Sequence, residues 1–243
     1  MNLIIDVGNS FVKLAIFKGE KLKSKEVVET KDVLDCITML NNKYPSIKRA
    51  IISSVGKLKK SDINTIDKTF SLLALDSNIK LPFNNLYKTP KTLGVDRIAL
   101  VSASVEKFPN TNALIIDAGS CITYDFVTSK NEYLGGAISP GLNMRYKSLN
   151  TFTANLPLLE LENPDNIIGK STKESIHSGV VYGVLNEIDG IIQKYKLKYP
   201  DLTVILTGGD AKFLSKQLKS SIFANSNFLL EGLNFILQFN TNE

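Results

Sequence analysis

The chain has 243 residues, of which 43% are hydrophobic, and a formal net charge of +5 at pH 7. It is therefore long enough for one large domain or two small ones, and it lacks the ~18-residue apolar stretch that a membrane-spanning helix needs. Its lysines are scattered instead of forming a basic stripe, so we expect no nucleic-acid or membrane partner, whereas the positive charge suits a small anionic ligand.

The cellular compartment follows from the cysteines and the first residues. The two cysteines, Cys36 and Cys121, have neither metal-site nor disulfide-framework spacing, which favours a reducing environment. No basic segment precedes the first apolar stretch, so we expect no signal peptide. The sequence predicts a cytoplasmic protein.

The first half of the sequence predicts an antiparallel meander followed by α/β units. The predicted elements are strands at 2–7, 11–17 and 22–29, a helix at about 31–43, a strand at 49–55, a helix near 60–70, a strand at 71–75 and a helix at 94–108. Residues 76–94 form the irregular segment between the last two elements. Loops this long in compact domains are usually functional or mobile.

The second half repeats this pattern. Strands are predicted at 112–117, 121–127, 132–138 and 203–207, and helices after Pro140-Gly141, at about 173–197, after Gly208-Gly209 and at 227–239. LIIDVG at 3–8 and LIIDAG at 114–119 differ at one position, within the same strand-turn-strand context. We therefore expect two duplicated domains, at 1–111 and 112–243.

The repeated turn has the composition of a phosphate-binding site. A strand followed by glycine and a small hydroxyl residue presents backbone N–H groups to an anion, and Gly8 and Gly119 allow close approach. Asp6 and Asp117 would repel phosphate unless a cation lies between, as Mg²⁺ does with ATP. A single Asp-x-Gly could equally be an ordinary turn. Because it occurs twice, we favour two facing hairpins that form an ATP cleft.

Two further motifs leave alternatives open. Asp96 lies in the first turn of a predicted helix, where it could stabilise the helix end or accept a proton from a substrate hydroxyl. Arg97 could clamp a substrate carboxylate or pair with a neighbour. Gly208-Gly209-Asp210 suits a nucleotide base or ribose. His177, the only histidine, is interpreted as a helix-surface or interface residue.

Taken in order, these segments resemble type III pantothenate kinases, within the actin-like ATPase superfamily. The matching segments are DVGNSFVK at 6–13, GVDR at 94–97, DAGSCITYD at 117–125, GGAISPGL at 135–142, GKSTKESIHSG at 169–179 and TGGDA at 207–211. The resemblance implies an α/β fold of two duplicated actin-like (ribonuclease H-like) domains, each with a mixed five-stranded-type sheet and flanking helices. Ser10 and Ser120 depart from the family's common threonine, and His177 replaces an expected glutamine.

The resemblance also implies a reaction, in which ATP phosphorylates the 4′-hydroxyl of pantothenate in the first step of coenzyme A biosynthesis. It makes Asp96 the proton acceptor and assigns Asp117 to a monovalent cation, K⁺ or NH₄⁺, in place of the Mg²⁺ expected above, while Mg²⁺ accompanies ATP. The implied ATP-binding residues are Asp6, Val7, Gly8, Asn9, Ser10, Phe11, Val12, Lys13 and Ser120. The implied pantothenate-binding residues are Tyr87, Gly94, Val95, Asp96, Arg97 and Thr172.

The family further implies a homodimer with the pantothenate site near the subunit interface. The apolar face of the helix at 173–197 is broad enough to pack on its own domain and also present a stripe to a twofold mate. Two other functions stay open: a kinase of another small hydroxy acid or alcohol, and a non-enzymatic nucleotide-binding regulator. The presence of both Asp96 and Asp117 argues against the regulator.

Overall fold

The structure is a computed structural model, and it describes residues 1–8, 11–53, 58–76 and 79–241. Its strands are β1 Asn2–Val7, β2 Val12–Lys18, β3 Lys21–Val28, β4 Arg49–Ile52, β5 Ser71–Ala74, β6 Asn84–Asn85, β7 Ala113–Ala118, β8 Cys121–Val127, β9 Glu132–Pro140, β10 Thr203–Thr207 and β11 Phe223–Ala224. Its α-helices are α1 Val33–Lys43, α2 Lys60–Thr69, α3 Val95–Lys107, α4 Leu142–Thr151, α5 Thr172–Lys198, α6 Ala211–Leu214 and α7 Phe228–Thr241. None of the helices within these described ranges is long and apolar enough to cross a bilayer.

The chain divides into two compact units, one of residues 1–109 with 227–243 and one of residues 110–226. The sequence placed the C-terminal helix in the second domain, whereas α7 packs on α3, β1 and β4 of the first unit. The contact with α3 is close, because a side chain on Gly232 would collide with the carbonyl of Ala99. The apolar face of α7 therefore completes the core of the first unit.

The first unit contains a mixed sheet with the strand order β3-β2-β1-β4-β5. Strands β1 to β3 form the predicted antiparallel meander, and β4 and β5 continue the sheet in parallel with β1. Two register pairs matter for the site: Asp6 lies opposite Lys13 on β2, and Ile5 lies opposite Ile52 on β4. The parallel pairing brings the carboxyl ends of β1 and β4 to the same edge of the sheet.

The second unit repeats this arrangement. Its strands follow the order β11-β10-β7-β8-β9, with an antiparallel meander from β7 to β9 and with β10 and β11 parallel to β7. Asp117 on β7 lies opposite Thr207 on β10. The same topology around both Asp-x-Gly strands confirms the predicted duplicated α/β fold.

Helix α5 forms the centre of the second unit's core. The residues of its apolar face, from which a stripe was expected to face a twofold mate, are buried within the unit: Ile176, Val180, Val181, Val184, Leu185 and Ile188. Several exposed apolar side chains of this unit lie on β9 and in the segment between α4 and α5. They include Ile138, Phe152, Ile167 and Ile168, which are 65%, 84%, 69% and 74% exposed.

Candidate active site

The first phosphate-type hairpin holds its aspartate between two partners. Asp6, at the end of β1, is only 8% exposed. Ser53 donates its hydroxyl proton to Asp6 Oδ1 at 3.0 Å, and the Lys13 ammonium lies 3.4 Å from Oδ2. The carboxylate is therefore oriented at the sheet edge by one buried hydroxyl and one half-exposed cation.

The backbone of the same hairpin is partly occupied by internal hydrogen bonds. The Val7 N–H donates to Ser53 Oγ at 3.2 Å, and the Gly8 N–H donates to the Phe11 carbonyl at 3.0 Å. Asn9 and Ser10, two of the expected ATP-binding residues, lie outside the described residues. Phe11 is 53% exposed and Val12 is buried. Of the described side chains expected to bind ATP here, Lys13 is the one whose charge suits a phosphate oxygen.

The start of α3 brings the GVDR segment together with Tyr87. Asp96 is exposed in the first helical turn, and its Oδ1 accepts a hydrogen bond from the Arg97 N–H at 2.9 Å. Gly94 precedes the helix, and a side chain there would collide with the Asp96 carboxylate. Arg97 is 5% exposed, and its guanidinium carbon lies 5.6 Å from the centre of the Tyr87 ring. The burial of Arg97 favours the interpretation in which it packs on a neighbour over a freely accessible carboxylate clamp.

The second phosphate-type hairpin, in the other unit, is closed by its own glycine. The Gly119 N–H donates to the Cys121 carbonyl at 2.9 Å, and Ser120 is exposed at the tip. The Gly141 N–H donates to the Ser120 carbonyl at 3.2 Å, so the segment before α4 supports this turn. Ser120 Oγ remains available to a ligand.

The TGGDA segment packs on the end of β7. Gly208 has a φ of +97°, and a side chain there would collide with the Asp117 carboxylate and the Ala118 carbonyl. The Asp210 N–H donates to that same carbonyl at 2.9 Å, and burial raises the pKa of Asp210. Gly209, in contrast, faces open space. The turn therefore packs on Asp117 through Gly208, whereas the backbone of Gly209 is open to solvent.

The donor sets of the two aspartates suit hard cations. Within the described ranges, no group of three or more His, Cys, Asp or Glu side chains is arranged to hold a metal ion. A transition-metal centre or an all-protein Ca²⁺ cage is therefore not supported there. A lone carboxylate such as Asp6 suits Mg²⁺ that keeps its waters and binds phosphates. The Asp117 carboxylate and the Ala118 carbonyl both lie beside Gly208, so two oxygens are near each other at the end of β7.

Thr172 lies at a cavity of about 860 Å³ within the second unit. It is the first residue of α5, whose N-cap Ser171 accepts the Glu174 N–H at 3.2 Å, while the Glu174 carboxylate accepts the Lys170 N–H at 2.7 Å. Arg145 and Lys170 also line this cavity, together with several hydroxyl side chains. Its lining suits an anionic ligand that carries hydrogen-bonding groups.

Sequence reasoning did not find a partly buried network between α4, α5 and β8. Arg145 lies 2.5 Å from Glu187, which also accepts the Tyr124 hydroxyl proton at 2.9 Å. Burial alone would raise the pKa of Glu187, but hydrogen bonds from Arg145, Tyr124 and Ser139 together bring it below its ordinary value. Long separations along the chain hide such pairs from a sequence pattern.

The interpretation of His177 as a helix-surface or interface residue was wrong. Its side chain is buried at 4% exposure, because the ring packs against α4 and its Nδ1 lies 2.8 Å from the Tyr146 hydroxyl. Burial also raises the pKa of Tyr146 to about 12. The pair therefore belongs to the core of the second unit.

Comparison with known proteins agrees with the resemblance. A family model for type III pantothenate kinase matches residues 2–194. A type III pantothenate kinase from Christiangramia forsetii is 55% identical over 99% of both chains, and one from Flavobacterium johnsoniae is 46% identical over 98% of both.

Among solved structures, the chain is similar to two proteins of low sequence identity. One is described as a Baf family transcriptional activator from Campylobacter jejuni, with a TM-score of 0.64, 21% identity and coverage of 99% of this chain and 100% of that one. The other is a glucokinase from an Antarctic psychrotroph, with a TM-score of 0.54, 11% identity and coverage of 98% of both chains. These two likenesses concern the fold alone. The full-length identity to the curated relatives and the family match show that the chain belongs to the type III pantothenate kinase family.

Proposed function

We propose that this enzyme transfers the γ-phosphoryl group of ATP to the 4′-hydroxyl of pantothenate, the first step of coenzyme A biosynthesis. The observation that carries this proposal is the 55% identity to a type III pantothenate kinase over 99% of both chains. The motif segments named above lie within that aligned length. The geometry of each unit supports specific roles for their residues.

On the acceptor side, Asp96 takes the proton of the attacking hydroxyl. Its Oδ1 is held by the Arg97 N–H, which orients the carboxylate at the start of α3. Catalysis of phosphoryl transfer rests mainly on positioning, so a carboxylate with a fixed orientation suits this role. Tyr87, Gly94, Val95, Asp96 and Thr172 contact pantothenate in this proposal. Arg97, assigned to the same site by the resemblance, is buried and supports the Tyr87 ring.

On the donor side, residues 6–13 and Ser120 bind ATP. The exposed Lys13 ammonium and the Ser120 hydroxyl donate to phosphate oxygens. Mg²⁺ accompanies the nucleotide and neutralises phosphate charge when bound, and Asp6 is the carboxylate that faces its water shell. Asp117 holds a monovalent cation, K⁺ or NH₄⁺.

The enzyme acts as a cytoplasmic homodimer in this proposal. The exposed apolar side chains Ile138, Phe152, Ile167 and Ile168 supply the surface for a second copy, since apolar side chains that are exposed in one copy are covered when a second copy packs on them. The free thiols of Cys36 and Cys121 suit a reducing compartment.

An ADP-release assay with a panel of acceptors tests the proposed function. ATP is supplied with pantothenate, with the neutral alcohol panthenol, and with other small hydroxy acids and sugars. We expect pantothenate to give the highest kcat/KM. A higher kcat/KM with another hydroxy acid would reassign the substrate. Nucleotide binding without turnover of any acceptor would favour the regulator.

A further inference from the structure

A buried serine outside the expected ATP- and pantothenate-binding residues contacts the first phosphate hairpin. Ser53 directly follows β4, is 2% exposed, and touches both the side chain of Asp6 and the backbone of Val7. We propose that Ser53 is a positioning residue, whose hydroxyl fixes the Asp6 carboxylate for the Mg²⁺-nucleotide. This inference rests on the proposed function, because that function assigns Asp6 to ATP.

The hydroxyl of Ser53 has both of its hydrogen-bonding roles defined. Its oxygen accepts the Val7 N–H at 3.2 Å, and its single proton is donated to Asp6 Oδ1 at 3.0 Å. The Ser53 N–H also donates to the Ile5 carbonyl at 2.9 Å, which fixes the backbone of Ser53 beside β1. The serine therefore cannot turn away from Asp6 without losing a buried hydrogen bond.

The other partner of Asp6 constrains it less. The Lys13 ammonium is 3.4 Å from Oδ2, and the Lys13 side chain is 45% exposed. An ion pair of this length with a half-solvated lysine contributes little and adapts to ligands. Without the Ser53 hydroxyl, the carboxylate is free to rotate towards Lys13, which would misplace it for the ordered water shell of an octahedral Mg²⁺ ion.

The second unit has a hydroxyl residue at the equivalent position. Thr207 ends β10, the parallel neighbour of β7, and lies opposite Asp117 in the register. Ser53 is one residue beyond Ile52, which lies opposite Ile5, so it takes the same place beside Asp6. Both residues are 2% exposed. The surrounding segments, ISSV and LTGG, are otherwise different, so the shared feature is a buried hydroxyl beside the aspartate.

The test combines one deletion, one conservative variant and one matched control. Ser53→Ala removes the hydroxyl, and Ser53→Thr retains it. Ser102→Ala is the control, because it deletes another fully buried hydroxyl, one that bonds only to the Ile98 carbonyl within α3. Folding is checked by thermal denaturation.

The readout is the dependence of nucleotide binding on Mg²⁺. Calorimetry measures the Kd of the non-hydrolysable analogue AMP-PNP with and without Mg²⁺, and kinetics give the Mg²⁺ concentration for half-maximal rate. We expect Ser53→Ala to raise that concentration roughly 10- to 100-fold, as is typical when a partner that orients a metal-facing ligand is lost. It should leave the Mg²⁺-free Kd nearly unchanged, and Ser53→Thr and Ser102→Ala should behave like the wild type.

Three results would overturn the inference. They are an unchanged Mg²⁺ dependence in folded Ser53→Ala, an equal loss of affinity with and without Mg²⁺, or a Ser53→Thr variant as defective as Ser53→Ala. If Ser53→Ala does not fold, Ser53→Cys replaces it, because a thiol of similar size is a weak donor. If the wild type does not phosphorylate pantothenate, the proposed function fails, but the AMP-PNP measurement still tests Ser53.

Discussion

Gly208→Ala should lower the stability of the second unit and weaken the cation site proposed at Asp117. Gly208 has a φ of +97°, where a Cβ atom is strained, and the added methyl would collide with the Asp117 carboxylate and the Ala118 carbonyl. The backbone strain costs about 1–2 kcal/mol, and overpacking adds about 1–3 kcal/mol. A total of about 2–5 kcal/mol corresponds to a Tm lower by about 4–20 °C for a chain of this size.

Gly209→Ala is the matched control for this prediction. Gly209 is the next residue, and its Cβ would enter open space. Differential scanning calorimetry of both variants gives the Tm, and initial rates at increasing K⁺ give the cation dependence. We expect Gly208→Ala alone to lose stability and to need more K⁺, because Asp117 must move. If both variants have the same Tm and the same K⁺ dependence, the close packing of this turn on Asp117 does not position the proposed cation site.

Four further predictions concern single residues. Asp96→Asn should lower kcat, measured by steady-state kinetics, by roughly 10²–10⁴-fold and leave the ATP affinity, measured by calorimetry, nearly unchanged. Near wild-type turnover would show that Asp96 is not the proton acceptor. In Tris buffer at matched ionic strength, K⁺ and NH₄⁺ chlorides should support faster turnover than Na⁺ chloride, and equal rates would count against a selective site at Asp117. Ile168 is 74% exposed, and Ile168→Asp should yield a folded monomer, as measured by sedimentation. We expect this monomer to bind AMP-PNP but to bind pantothenate poorly. Unchanged pantothenate affinity would show that each pocket is complete within one chain. The folded-state pKa of Glu187 lies below the ordinary value of 4.5, so its stabilising contribution is present above that value and is lost as the pH falls through the folded pKa. Glu187→Gln should therefore flatten the acid side of the Tm–pH curve. A parallel downward shift of the whole curve would contradict this prediction.

The strands and the duplication could be predicted because they are encoded locally. Alternating and buried apolar runs placed β1, β7 and β10 within a residue of their observed bounds, and the repeat of LIID identified both aspartate-bearing strands. These signals depend on residues that are adjacent in the chain. They are sufficient for the fold class, whereas the family followed from the ordered set of motif segments.

Contacts between distant residues could not be predicted. Ser53 and Asp6 are 47 positions apart, and a Ser-Ser pair after a strand resembles any strand end. The burial of His177 depends on Tyr146, which comes from another helix. Likewise, the apolar face of α7 carries no sign of which sheet it covers, so its place in the first unit is evident only from the packing on α3.

Identification of the phosphorylated product tests the central claim most directly. The purified protein is incubated with ATP, Mg²⁺, K⁺ and pantothenate, and the products are identified by ³¹P and proton NMR. We predict one ADP for each pantothenate phosphorylated at the 4′-oxygen, and no product from 4′-deoxypantothenate. ADP formation that does not depend on pantothenate, or a phosphate on any other atom of the acceptor, would contradict the account.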